Sequence, residues 1–450
     1  MAFLDELAAS VAGVSTAPGD VAAVATDRSG TTPRGLPSAV VRASTVDDVR
    51  RTLRLAHEHR VPVVPRGAGT GLAGGAVAGS GTVVLDLGGL DRITGIDPVD
   101  EIAVVEPGVL TADLDRAAAE HGLRYAPDPA SAAISTIGGN IATNAGGMRC
   151  VKYGVTGEAV LGLDVVLADG RLISTGRRTV KGVAGLDLTA LFVGSEGTLG
   201  VVVGATVRLR PLPAQTFTAV AAYESVLDAA AACSALARTR REPSVLELLD
   251  SATVNVIDRA QGTDYAARGK ALVIAQADGA AAEAEIAAIA DVLGKEATWT
   301  STASDAATSE QLLFARRMAL PSIERFSRAL IEDICVPRSR LAEAFQGVER
   351  IARTRGVDIY SFAHAGDGNL HPIIAYDRSA QRLPDAVREA GDDIFALALD
   401  LGGTVTGEHG VGLFKRDWLA REVGADVLDV HATLKSALDP RGILNPGKGF

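Results

Sequence analysis

The chain has 450 residues, enough for about two or three domains with a sizeable apolar core. Its 44 basic side chains are outnumbered by 55 acidic ones, a net charge of −11, which argues against nucleic acid as a partner because phosphates demand a basic surface. Three isolated cysteines, Cys150, Cys233 and Cys335, argue against a disulfide framework, a zinc ribbon or an iron–sulfur cluster held by this chain.

The opening "MAFLDELAAS" carries acids where a signal peptide carries bases, and no apolar run is long enough to span a bilayer. The expectation is a cytoplasmic protein, with peripheral attachment to a membrane as its variant. Residues 1–35 read as a short helix and a Thr/Gly/Pro-rich approach segment. "PSAVVRAS" reads as a strand. "STVDDVRRTLRLAHEHR" follows as a helix, with Thr45 as N-cap and Asp48 at the capping-box position. "VPVVPRG", "TVVLDL" (82–87) and "IAVVEPG" (102–108) are further short strands. From 214 the texture changes to Ala-rich helices such as "AAYESVLDAAAACSALARTR" and "GAAAEAEIAAIADVLG", alternating with strands such as "KALVIAQA". "RPLPAQ", residues 210–215, marks the boundary. The expected domains are 1–35 as the N-terminal helix and approach, 36–213, and 214–450.

"VPRGAGTGLAGGAVAGSG" (64–81) contains Gly69, Gly71 and Gly74 in the spacing G-x-G-x-x-G. A Rossmann site requires a helix after that pattern, and "GGAVAGSG" is too rich in glycine to form one. The segment therefore reads as a long loop between strands, whose unblocked N–H groups suit a pyrophosphate. A plain surface loop is the alternative, at an entropic cost that a simple connector need not incur. "PDPASAAISTIGGNIATNAGGMRCVKYG" (127–154) and "GSEGTLGVV" (194–202) are two more glycine-rich segments. Three such segments in one domain fit a long cofactor such as FAD better than a lone phosphate.

These motifs, in this order, resemble the FAD-binding domain of the vanillyl-alcohol oxidase and p-cresol methylhydroxylase superfamily. The resemblance implies an α+β fold: a two-part FAD-binding domain of the p-cresol methylhydroxylase type, then an α+β substrate or cap domain and a C-terminal helical segment. It implies that the first motif (Pro65, Arg66, Gly67, Ala68, Gly69, Thr70 and Gly71) holds the pyrophosphate. The second (Pro129, Thr136, Gly138, Gly139, Asn144 and Gly147) is expected to run along the isoalloxazine and ribityl chain, with Gly197 and Val202 of the third also at the cofactor. Some members tether FAD through a His or Cys. Residues 65–75 contain neither, so FAD is expected to be non-covalent.

"VDIYSFAHAGDGNLHPIIAYD" (357–377) reads as strand, turn, strand. With Gly366–Asn369 as the turn, 365 faces 370 and His364 faces His371, with Cβ atoms about 4.5–5.5 Å apart. Two imidazoles could then converge on one metal ion. "GGTVTGEHGVG" (402–412) offers Glu408 as a carboxylate, and two His with one carboxylate suit zinc, manganese or ferrous iron. Histidines that merely cap turns are the bland alternative.

"HAGDGNLHP", "GEHGVG", "EDICVPRSRL" and "LDPRGILNPGK" are similar to one branch of the superfamily, that of the glycolate oxidase FAD subunit, D-lactate dehydrogenases and D-2-hydroxyglutarate dehydrogenase. For the matched positions the branch implies His364, His371 and Glu408 as metal ligands, His409 as catalytic base and Asn445 near the flavin. Its substrate-carboxylate arginine corresponds to Arg316 in "LLFARR", where Leu313 replaces an expected tryptophan; two solvated arginines are the rival reading. A lysine suggested for dicarboxylate-specific members is missing from "ALIEDICVP", which carries Glu332 instead. The expected reaction is oxidation of a small 2-hydroxy acid, D-lactate or glycolate, to the 2-oxo acid, with hydride passing to flavin N5. D-2-Hydroxyglutarate is the alternative substrate, and metal-dependent hydrolysis the alternative chemistry. Expected partners are the hydroxy acid, an electron acceptor or electron-transfer protein, and, as an option, a second copy in a homodimer.

Overall fold

A computed structural model describes residues 2–303 and 305–450. By their contacts the residues form two compact units. One comprises Met1–Gly147, Gly154–Leu212 and Glu408–Phe450; the other comprises Met148–Tyr153 and Pro213–Gly407. The expectation kept 214–450 together, whereas the contacts return 408–450 to the first unit. Long-range pairing is the reason: Leu444 bridges Val63, and the N–H of Asn445 donates to the carbonyl of Val63 at 2.8 Å.

The first unit begins with a four-stranded sheet of order β1-β2-β4-β3. β1 (Val14–Ser15) runs antiparallel to β2 (Ala39–Arg42), while β3 (Val63–Arg66) and β2 both run parallel to β4 (Val83–Asp86). Val40, Val41, Val63, Val64, Val83, Val84 and Leu85 are all buried, the continuous apolar run of strands covered on both faces. The helix Val46–His59 joins β2 to β3 and buries Val49, Leu53 and Ala56, one stripe at helical spacing. Its capping box is present: Asp48 N–H donates to the Thr45 side chain, and the Asp48 carboxylate accepts from Thr45 N–H. That cap is worth about 1 kcal/mol. The approach segment contributes more than a linker: β1 and a short helix, Pro18–Ala23.

The link from β3 to β4 is unusual. Adjacent parallel strands need a crossover, normally a helix. Here residues 67–82 cross over with no helix at all. A loop that long without secondary structure of its own is commonly functional. β5 (Ile93–Asp97), β6 (Ile102–Val105), β8 (Val160–Val166), β9 (Leu172–Gly176) and β10 (Val201–Arg208) form an antiparallel sheet of order β5-β6-β10-β8-β9. β7 (Leu123–Arg124) pairs separately with β11 (Arg210–Pro211). Helices Arg416–Val423 and Ala425–Leu438 complete the unit.

The second unit is built on an antiparallel sheet: β12 (Thr216–Tyr223), β13 (Val245–Leu249), β14 (Ala271–Asp278), β15 (Trp299–Ala303), β16 (Arg328–Ile331), β17 (Ile334–Cys335), β18 (Asp358–His364) and β19 (Asn369–Tyr376). The order is β15-β12-β14-β13-β18-β19-β16, with β17 also pairing β19. Helices Ser251–Gln261 and Ala306–Phe326 cover one face, where Val254, Ile257, Leu313 and Ile323 meet Leu249, Phe362 and Ile373. Among the described residues, no helix is long and apolar enough to cross a membrane.

Candidate functional site

In the first unit, the three glycine-rich segments come together around the end of β3. The backbone N–H groups of Gly67, Ala68, Gly69, Thr70 and Gly71 donate to no protein acceptor among the described residues. Five consecutive uncommitted donors form the kind of nest that binds anions. A Cβ on Gly67 would strike the Thr136 hydroxyl and lie 3.6 Å from Gly139 Cα, so the first motif lies directly against the second. Thr136 caps the helix Ile137–Thr143 by accepting from Gly139 N–H at 3.3 Å. Gly197 has φ +70°, and a Cβ there would lie 3.0 Å from Pro65, bringing the third motif to the same strand.

The remaining cofactor candidates frame this centre. Arg66 donates from Nη1 to the carbonyls of Thr26 (2.6 Å) and Val24 (3.3 Å), pinning the approach segment over the loop. Asn144 ends its helix at φ 52° and accepts from Gly157 N–H at 2.8 Å, a structural tie. Pro129 starts a turn, Ala132 N–H donating to its carbonyl at 2.8 Å. Gly147 lies so close to Asp128 that a Cβ would collide with the Asp128 carbonyl. Val202 is buried on β10 opposite Val165. Asn445, buried beside β3 at φ 41°, donates to the carbonyls of Glu196 (2.7 Å) and Gly75 (3.0 Å).

A diphosphate needs unengaged N–H donors, and a flat ring needs backbone approach without Cβ atoms. The centre provides both, so these residues fit FAD.

Glu196 and Lys448 were not foreseen. Glu196, the acid of "GSEGTLG", accepts from Val411 N–H at 2.8 Å and Gly412 N–H at 2.9 Å, fixing the backbone just after His409. Burial pushes the Glu196 carboxyl up despite those donors. Lys448 is buried, donates to Val77 O and Asn445 Oδ1, and is brought by burial down to about 8. An acid inside a glycine motif and a lysine in "LNPGKGF" were the available signals.

In the second unit the two histidines of the hairpin do come together, but in a different register. His364 faces Asn369 and His371 faces Phe362, so the expected opposition of 364 and 371 is corrected to a diagonal on one face. The turn is one residue earlier because Asp367 and Gly368 N–H both donate to His364 O at 3.0 Å. Gly368, at φ +82°, takes the last turn position, and Asn369 already belongs to β19. The imidazole rings are 5.1 Å apart between centroids and nearly perpendicular.

Each histidine has a buried acid at Nδ1. Glu247, fully buried on β13 and in register with His364, lies 2.7 Å from His364 Nδ1. Asp333 Oδ1 lies 3.9 Å from His371 Nδ1. A carboxylate hydrogen-bonded at Nδ1, as Glu247 is to His364, fixes the ring and leaves Nε2 for a metal, the usual outer-shell arrangement of histidine ligands, while Asp333 faces His371 from beyond hydrogen-bond distance. The donor set therefore fits a divalent ion. Asp333 also accepts from Asn369 Nδ2 (2.7 Å), Thr406 Oγ1 (2.8 Å) and Gly407 N–H (2.9 Å). It thus secures the last residue of this unit, to which Glu408 is joined by a peptide bond. Of the three expected metal ligands, His364 and His371 lie in this unit, while Glu408 opens the segment that belongs to the first.

Arg316 is not a solvated helix arginine. Its Nε pairs with Glu247, and its guanidinium stacks 4.3 Å over the Phe362 ring. Burial would raise the Glu247 carboxyl, but the charges of His364 and Arg316 and their hydrogen bonds hold it below the usual range. Leu313 is buried in the adjoining core.

The chain is similar to known proteins over most of its length. Residues 37–176 match the family described as FAD binding domain, and 212–449 match FAD linked oxidases, C-terminal domain. The chain is 43% identical over 426 residues to glycolate oxidase subunit GlcD of Bacillus subtilis (strain 168), covering 93% of this chain and 90% of that one. It is 35% identical over 416 residues to D-lactate dehydrogenase of Archaeoglobus fulgidus, covering 91% and 90%. Substrate-bound p-cresol methylhydroxylase shares the fold, with a TM-score of 0.80 at 19% identity over 99% of this chain and 96% of that chain.

Proposed function

This chain belongs to the FAD-linked oxidases, and on that premise we propose that it oxidises a small 2-hydroxy acid, glycolate or D-lactate, to the 2-oxo acid. That the chain is an FAD-dependent hydroxy acid oxidoreductase follows from its family; the substrate, the ion and the residue roles are our reading. FAD, when bound, supplies the two-electron acceptor. A divalent ion, when held, supplies a Lewis acid for the substrate hydroxyl.

The chain's own part divides as follows. His364 and His371 offer Nε2, with Glu408 as the third donor, while Glu247 keeps the His364 ring oriented and Asp333 places a negative charge beside His371. Arg316 uses Nε for Glu247, and its Nη groups donate to nothing else among the described residues, so they are available for a bidentate grip on a carboxylate. His409 takes the hydroxyl proton, an ordinary general-base role for imidazole. The observation that carries the reading is Glu247. One buried acid fastens both the candidate substrate anchor and a candidate metal ligand, which makes little sense for a structural ion pair alone.

Anaerobic addition of glycolate, D-lactate, L-lactate and D-2-hydroxyglutarate to FAD-loaded protein tests the substrate. Bleaching of the flavin absorbance is expected with glycolate or D-lactate, and a flavin that stays oxidised with all four defeats the proposal. Dialysis against EDTA is expected to slow bleaching about a hundredfold or more, since Lewis-acid stabilisation is worth several kcal/mol. Full activity in verified metal-free protein would remove the ion from the scheme. Asp333→Asn should retain less metal after dialysis, with affinity about 10–100-fold weaker. Parental metal content in that variant would show that Asp333 serves the fold alone.

A further inference from the structure

The sheet of the second unit has a cavity of about 390 Å³ on the face turned away from the histidines. Leu246 lines it, whereas its neighbour Glu247 points to the His364 side, as alternation along a strand requires. The volume is in the range of small-molecule sites. Val151, Leu236, Pro243 and Leu246 give it an apolar floor. Arg238, Arg241 and Arg338 also line it, and no acidic side chain does. Arg241 is paired with Glu285 at 3.1 Å. The side chains of Arg238 and Arg338 are exposed and form no hydrogen bond or ion pair among the described residues.

We propose that this cavity binds an organic anion with an aliphatic body, such as a medium-chain carboxylate, gripped by Arg238 and Arg338. Guanidinium groups match the carboxylate fork, and the floor rewards burial of methylenes. Glycolate or lactate has no aliphatic body to fill the floor, and free phosphate gains nothing from it. The position links the cavity to the histidine hairpin. Gly366 N–H donates to Leu246 O at 3.3 Å, and Ala365, also in the lining, directly follows His364. Only the relevance of that link to catalysis rests on the oxidation proposed above; the binding itself does not.

Octanoate is the probe. Isothermal titration of full-length, FAD-loaded protein is expected to show one saturable site at millimolar concentration or tighter. Arg238→Ala and Arg338→Ala should each weaken it about tenfold, the loss of one charged hydrogen-bonding partner. Octanol, with the chain but no charge, should not saturate, and an excess of glycolate or D-lactate should leave octanoate affinity unchanged. No saturable binding, binding unaltered in both variants, or displacement by the hydroxy acids would each overturn the assignment. Both arginines are exposed, and melting curves matching the parent check that the variants are folded. Failure of flavin bleaching would leave this titration unaffected, so the two proposals fail separately.

Discussion

His409→Ala is expected to bind FAD normally and to slow anaerobic flavin bleaching by about two to four orders of magnitude, the usual contribution of a general base. The variant should fold, because the local backbone has anchors other than the histidine side chain. Gly410 and Gly412, at φ +84° and +52°, set the path of the chain. The Glu196 carboxylate anchors the N–H groups of Val411 and Gly412. None of these contacts uses the imidazole. The loop N–H groups of residues 67–71 do not depend on it either, so flavin content is the internal control. His409→Gln should be as slow as the alanine variant, since an amide keeps polarity but accepts no proton at neutral pH. Bleaching at the parental rate in either variant would place the base elsewhere. A variant that loses flavin as well as rate would instead show His409 to be part of the cofactor's support.

What could be read from residues alone was local. Thr45 and Asp48 announced a capping box because both partners lie within one helical turn. The 64–81 loop was legible because the glycines that suggest a Rossmann turn also forbid the helix such a turn requires. The hairpin was legible as a hairpin, but its register was not. That depended on whether Gly368 or Asn369 takes the final turn position, and a spacing cannot distinguish them. Glu247 was missed for a different reason. It acts on a histidine 117 residues away, through strand pairing that no local pattern encodes. A signal was present even so: a lone glutamate inside the apolar "SVLELL" is buried only if something charged meets it. The same logic applies to Asp333, whose contacts reach the hairpin and the 404–407 segment at once.

Replacing that glutamate gives the largest expected effect on the second unit. Glu247→Ala should destabilise the protein by about 3–5 kcal/mol, the cost of stripping one partner from a buried ion pair. Arg316 would keep its charge in a nearly closed environment, with only the Phe362 face and no counter-ion among its present contacts. His364 would lose the acid at Nδ1 and with it the constraint that aims Nε2. In a melt this corresponds to a drop of roughly 10 °C for a unit of this size. Glu247→Gln separates the two roles. Its amide oxygen can still accept from His364 Nδ1, but its NH2 group would face the Arg316 guanidinium, donor against donor. Glutamine should therefore preserve more metal than alanine while still raising the KM for the hydroxy acid, because Arg316 is no longer held in place. If Glu247→Gln melted with the parent and kept both its metal content and its KM, the acid would be ordinary core structure. The link between substrate anchor and metal ligand would then dissolve.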